Sequence, residues 1–187
     1  MKKKILITFI FLILVFLLII FVVVGGRKPL PSPTPQESAI SPRAFTILSL
    51  KPTDSTKYLG DTFPVEVVID TGGNVVSGVE LYLSFESEKL KVERVEPGSF
   101  FENPNILLNE TDQEEGKISF ALGTFLPKEG VGSLATLIFR VIGITSENQP
   151  TIVSFMDKTK VAEVGETESV LAKMEEAKCI LLSKTEQ

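Results

Sequence analysis

Residues 76–85 read VSGVELYLSF, and this stretch decides the fold class. Val79, Leu81, Leu83 and Phe85 fall on one side of an extended chain, and Gly78, Glu80, Tyr82 and Ser84 on the other. Successive side chains of a strand point to opposite faces, so period-two alternation of this kind marks a half-buried β-strand. An apolar sheet face must be covered by another layer. The first four form a core face. The second four form a face open to solvent or to a partner.

The same period runs outward in both directions. Phe63, Val65, Val67 and Ile69 share a face within residues 62–70, before the turn residues Gly72, Gly73 and Asn74. Residues 90–95 form a strand ended by Pro97 and Gly98, and a weaker apolar patch follows at residues 106–108. Ile118, Phe120 and Leu122 alternate in KISFALG, and Ala135, Leu137, Phe139 and Val141 point inward in SLATLIFRVIG, with Thr136 and Arg140 outward. Residues 45–50, 151–156 and 178–182 add further strands. Residues 166–178 read either as a helical turn at the edge or as a hairpin of poor strand propensity, and Gly165 with the following CILL, which fits a closing strand, favours the hairpin. Short strands at this spacing, separated by Gly, Pro and Asn, predict an all-β, antiparallel jelly-roll sandwich of about nine strands over residues 44–183, with a short tail at 184–187.

The segment before this domain is of another kind. Residues 5–24 are apolar except for Thr8. Twenty helical residues span about 30 Å, the thickness of a bilayer core. A secretory signal has an apolar region of only about 7–15 residues followed by a small-x-small cleavage site. The run here is longer and no such site follows, which favours a retained transmembrane helix. Lys2, Lys3 and Lys4 then keep the N-terminus cytoplasmic and place the rest outside. Residues 1–24 are thus read as a basic tip and membrane anchor. Residues 25–43 carry Pro29, Pro31, Pro33, Pro35 and Pro42. Proline at alternate positions favours an extended polyproline spacer.

Composition excludes several classes. Residues 44–187 hold 13 Lys and Arg against 23 Asp and Glu, so the exported part repels phosphate backbones and nucleic acid is not a partner. The chain has no histidine, which removes Ser-His and Cys-His catalysis and every His-containing metal site. No pair of carboxylates stands out as a catalytic couple. The reading is of a protein that is not an enzyme, with no cofactor. NETDQEEGK at residues 109–117 lacks the ligand spacing of a calcium loop and reads as an acidic hairpin tip. The single cysteine, Cys179, lies in KCILL as a small buried apolar residue.

The blocks GDTFPV (60–65), GVELYLSFESEKLKVERVEPGSF (78–100), GKISFALG (116–123) and GSLATLIFRV (132–141), in this order, resemble the cohesin domain family. The resemblance covers roughly residues 44–182. It implies a nine-stranded jelly roll related to carbohydrate-binding modules, and a dockerin domain as partner. It further implies that the dockerin lies against the strand matching residues 78–85 and its neighbours. The family often carries an Asn and an Asp two apart on that strand. Here Gly78 and Glu80 stand at those positions, so the acidic acceptor is kept and the amide is not. The implied contact set is Gly78, Glu80, Tyr82 and Ser84, with Ser119, Ala121 and Gly123 across the sheet. Calcium in such complexes mainly belongs to the dockerin.

Three functions are thereby in competition. The first is a membrane-anchored, cell-surface module that captures a dockerin-like protein, with a link to polysaccharide degradation. The second is direct polysaccharide binding, which usually needs a row of exposed aromatics; this chain has no Trp and two Tyr, Tyr58 and Tyr82. The third is a self-associating structural role in the envelope.

Overall fold

The computed structural model describes residues 44–146 and 149–184. The expected anchor at 1–24 and spacer at 25–43 lie outside the described residues, as does most of the tail. In chain order the strands are β1 (Thr46–Lys51), β2 (Asp54–Tyr58), β3 (Thr62–Asp70), β4 (Val76–Ser84), β5 (Leu90–Pro97), β6 (Asn105–Asp112), β7 (Lys117–Lys128), β8 (Val131–Val141), β9 (Thr151–Phe155), β10 (Lys160–Glu163), β11 (Leu171–Glu175) and β12 (Ala177–Leu182). No helix occurs among the described residues.

The strands make two sheets. One has the order β11-β1-β3-β8-β5, the other β2-β12-β9-β4-β7-β6, with β10 also on β4. The all-β sandwich is therefore as expected, but it has twelve strands rather than about nine. The additions are β2, which reads DSTKY and has no apolar face, and the short β10 and β11. Strands of four or five residues are too short to display an alternation that a sequence reading can find.

Pairing is also not purely antiparallel. β1 runs parallel to β11, and β2 parallel to β12. The N-terminal strand pair changes sheet between Lys51 and Asp54, and the C-terminal pair changes sheet at Glu176, side by side. A parallel pair cannot be joined by a tight turn. Here the rest of the domain is the crossover. The hairpin expected over residues 166–178 is not formed: β11 and β12 are both strands, but the change of sheet at Glu176 puts them in different layers.

The core lies between the sheets. Phe63, Val65, Val67 and Ile69 of β3 and Leu137, Phe139 and Val141 of β8 face Val79, Leu81, Leu83 and Phe85 from the other layer, together with Ile118, Phe120 and Leu122. All of these are buried. The Phe85 ring meets Phe139 edge-on at 5.5 Å between centroids, and Phe139 stacks on Phe63 at 6.1 Å. These separations suit aromatic pairs, which add roughly 0.5–1.5 kcal/mol beyond area burial. Pro64 is tolerated within β3 because β1 pairs only with Glu66–Asp70, leaving that edge of Pro64 without a ladder partner. Cys179 is buried as expected, its Sγ 3.1 Å from Ser55 Oγ, and burial pushes the thiol pKa up. It is a packing residue.

The acidic stretch 109–117 forms the β6–β7 hairpin tip, and the tip is anchored. Gly116 accepts a hydrogen bond from the Phe85 amide at 2.8 Å. Gln113 accepts one from the Val92 amide at 3.0 Å and donates one to the Leu90 carbonyl at 2.8 Å. The tip therefore ties the end of β4 to β5, which holds the β4–β7 ladder in register.

Candidate partner-binding face

β4 and β7 are antiparallel neighbours, and their register sets Gly78 opposite Gly123, Glu80 opposite Ala121 and Tyr82 opposite Ser119, with Ser84 one step further opposite Lys117. The seven residues chosen from sequence thus come together on one outward face as three cross-strand pairs plus Ser84. Their side chains alternate with the buried Val79, Leu81, Leu83, Ile118, Phe120 and Leu122, which is why the same two strands serve core and surface at once.

The members of this face differ in accessibility. Glu80 is exposed, and Gly78, Tyr82, Ser84, Ser119 and Gly123 are half-buried. Ala121 is only 6% exposed and acts as floor. Ser84 is engaged with Ser154 through their hydroxyls at 3.0 Å. Tyr82 is covered on one side: the Lys158 ammonium sits 3.8 Å from its ring centroid, a cation–π contact. A partner that uses Tyr82 meets a ring already paired with a cation.

The far edge of β4 has an unusual partner. β9 pairs with it at Leu83 and Ser84, and β10 at residues from Val76 to Glu80. Between them the chain leaves the ladder, and Thr159 replaces it. Its hydroxyl accepts from the Tyr82 amide at 3.2 Å and donates to the Tyr82 carbonyl at 3.0 Å, and the Met156 amide also reaches that carbonyl at 2.8 Å. The resulting loop carries Lys158 onto Tyr82.

Sequence reasoning missed part of this surface. Gly78 and Gly123 leave a depression of about 290 Å³, lined also by Leu107, Glu80, Lys160 and the loop from Glu166 to Ser169. Leu107 belongs to a bulge where β6 slips against β7 between Ile106 and Leu108. Phe125 and Leu126, just beyond Gly123, are exposed, Phe125 at 92%. They lie where the β4–β7 register jumps between the pairs Val76–Lys128 and Gly78–Gly123. The signal was present: GTFLPK breaks the alternation of KISFALG with two adjacent large apolar residues.

A two-layer sandwich that presents a flat, partly apolar strand face, with small residues at its centre, has the build of a protein-recognition module. A family model for the cohesin domain matches residues 48–177, and the chain belongs to that family. Solved structures share the fold. A non-cellulosomal cohesin from the hyperthermophilic archaeon Archaeoglobus fulgidus is 19% identical with a TM-score of 0.59, covering 74% of this chain and 92% of that one. The third cohesin of a scaffoldin from Acetivibrio cellulolyticus, solved with a dockerin, is 16% identical with a TM-score of 0.62, covering 73% and 99%. A type I cohesin–dockerin complex from Clostridium thermocellum gives 18% and 0.60, covering 78% and 98%. No curated protein matches this sequence.

Proposed function

We propose that this chain is a non-catalytic cohesin module, held at the outer side of a membrane by residues 5–24, that captures a dockerin-type protein through the β4–β7 face. The observation that carries the reading is the register of that face. Gly78, Glu80, Tyr82 and Ser84 stand beside Ser119, Ala121 and Gly123 on adjacent strands, as the family resemblance requires. Cohesins of the same fold from Acetivibrio cellulolyticus and Clostridium thermocellum are solved with dockerins bound. Specific protein interfaces bury roughly 800 Å² per partner, and a few central residues carry most of the energy. Glu80, as exposed acceptor, and Tyr82, as aromatic anchor, are the central pair. Polysaccharide and self-association are the competing occupants. The exposed aromatics Phe45, Tyr58 and Phe125 share no strand, which disfavours a sugar-stacking row.

The test is capture of calcium-loaded dockerins, taken from the two complexes above, by the immobilised full chain. Glu80→Ala with Tyr82→Ala is expected to abolish capture of any dockerin held by the unsubstituted protein. Glu80 is exposed and Tyr82 half-buried beneath Lys158, so the double substitution is expected to cost no more than about 1 kcal/mol of stability. Retention of the dockerin by the folded double variant would remove the face assignment. Tight retention of cellulose, chitin or peptidoglycan instead would favour the sugar reading.

A further inference from the structure

We infer that the Gly78–Gly123 pair opens a recognition groove for one large apolar side chain, borne on a protein segment that also carries Lys or Arg. This rests on the β4–β7 face being the docking surface and specifies what docks there. With glycine on both strands at the same register position, two side chains are missing from the outer face together. The opening is bounded on one side by Leu107, whose Cδ1 lies 3.7 Å from the position a Cβ on Gly123 would take, and on the other by Ala162 and the loop from Glu166 to Ser169.

Size and charge decide the occupant. At about 290 Å³ the groove is at the lower end of the roughly 300–1,000 Å³ usual for small-molecule sites, and it is open to solvent. It suits a single protruding side chain. Leu107 at 72% exposed, with Phe125 and Leu126 just beyond Gly123, supplies apolar surface that water does not favour. Three carboxylates, Glu80, Glu166 and Glu168, line the groove against one ammonium, Lys160. An acidic rim around an apolar centre complements a basic segment and repels an acidic one.

A Cβ on Gly78 would crowd the Leu122 carbonyl at 3.3 Å, so Gly123 is the position at which the test is clean. A Cβ at Gly123 would meet only the Ser77 carbonyl at 3.6 Å and Leu107 at 3.7 Å, ordinary contacts, so a side chain there fills the groove without disturbing the strand. The experiment measures fluorescence anisotropy of labelled helical peptides on the full chain in detergent. The peptides carry one Leu flanked by Lys, one Ala flanked by Lys, or one Leu flanked by Glu. The Leu–Lys peptide is expected to bind at least tenfold more tightly than either other peptide. Gly123→Leu should remove that preference, whereas Gly123→Ala should weaken it by less. Glu166→Gln with Glu168→Gln, both in an exposed loop, should reduce Leu–Lys binding several-fold and flatten its salt dependence. Equal binding of the three peptides, or an unchanged preference in folded Gly123→Leu, overturns the inference. A dimer in light scattering that Gly123→Leu abolishes also overturns it, by seating a second copy in the groove. The dockerin assay run in parallel separates the two readings. Dockerin capture that is indifferent to Gly123→Leu leaves the docking face standing and removes the groove. Groove-dependent peptide binding without any dockerin capture keeps the groove and removes the dockerin as its partner.

Discussion

Asn74 and Glu163, 89 residues apart, are joined by a 2.9 Å hydrogen bond from Asn74 Nδ2 to Glu163 Oε2, and the Val75 amide donates to the other carboxylate oxygen at 2.7 Å. On its other side Asn74 Oδ1 accepts from Thr46 Oγ1 at 3.1 Å and from the Phe45 amide at 3.2 Å. One buried amide thus fastens the start of β1, the β3–β4 turn and the end of β10. It also sets where β10 meets β4 beside Gly78.

Asn74→Ala therefore takes the acceptor from the Phe45 amide and the donor from Glu163 at once, while the Thr46 hydroxyl keeps the Thr71 carbonyl at 3.1 Å. Leaving buried polar groups unsatisfied costs about 1–3 kcal/mol. The loss is expected in the urea midpoint at unchanged slope. Glu163→Gln should cost less, because one amide oxygen still accepts. Equal stabilities for Asn74→Ala and the parent would show that the network contributes nothing net.

Thr159 substitutes for a missing ladder partner at Tyr82, so Thr159→Val removes an acceptor and a donor without changing shape. An expected loss of about 1–3 kcal/mol follows from the unpaired Tyr82 amide, whereas the Tyr82 carbonyl keeps the Met156 amide at 2.8 Å. The distinguishing readout is hydrogen exchange: the Tyr82 amide should lose protection before its neighbours Leu81 and Leu83 do. Unaltered exchange at Tyr82 would mean that water replaces the hydroxyl at no cost.

Two glycines separate backbone strain from steric conflict. Gly165 has φ +84° and open space around its Cβ position, so Gly165→Ala bears only the left-handed conformation, about 1–2 kcal/mol. Gly116 has φ +62°, and a Cβ would stand 2.1 Å from the Phe85 carbonyl oxygen. Gly116→Ala must also displace the hairpin tip from β4 and is expected to cost more than Gly165→Ala in thermal unfolding. The reverse order would show that the tip moves freely.

Asp61 accepts a hydrogen bond from the Tyr58 amide at 3.0 Å and faces Lys184, and these hold its carboxyl below the usual value of about 3.9. Glu175 is lowered by its hydrogen bond to Lys173. For Glu86 burial pushes the other way, but the hydrogen bonds, first that with Lys89, outweigh it. A lowered folded value means that the contribution is fully present above the unfolded pKa, about pH 4, and is lost as pH falls through the folded one. Thermal midpoints should therefore drop below about pH 4. Asp61→Asn should flatten part of that drop and leave the slope near neutrality unchanged. An identical acid limb in the variant would assign the drop to other carboxylates.

The positions of β3, β4, β7, β8 and β12, and the inward residues of the first four, were legible in the sequence. Alternation is local, and every residue of a half-buried strand registers which side faces the core. The family resemblance named seven outward residues, and the β4–β7 register sets six of them in cross-strand pairs on one face. The deepest gap lay at the edges. β2, β10 and β11 are only four or five residues long, and the parallel pairs β1–β11 and β2–β12 join segments more than a hundred residues apart.

Alternation alone determined that VSGVELYLSF has a core face and an outer face. It could not determine what stands across from the outer face, because register between strands is set by bulges, hairpin tips and anchors such as Gln113 and Asn74. Only the tertiary structure placed Gly78 against Gly123, brought Leu107 to their edge and put Lys158 over Tyr82. Chain connectivity defines a strand's pattern, whereas a recognition surface is defined by what three-dimensional packing sets beside it.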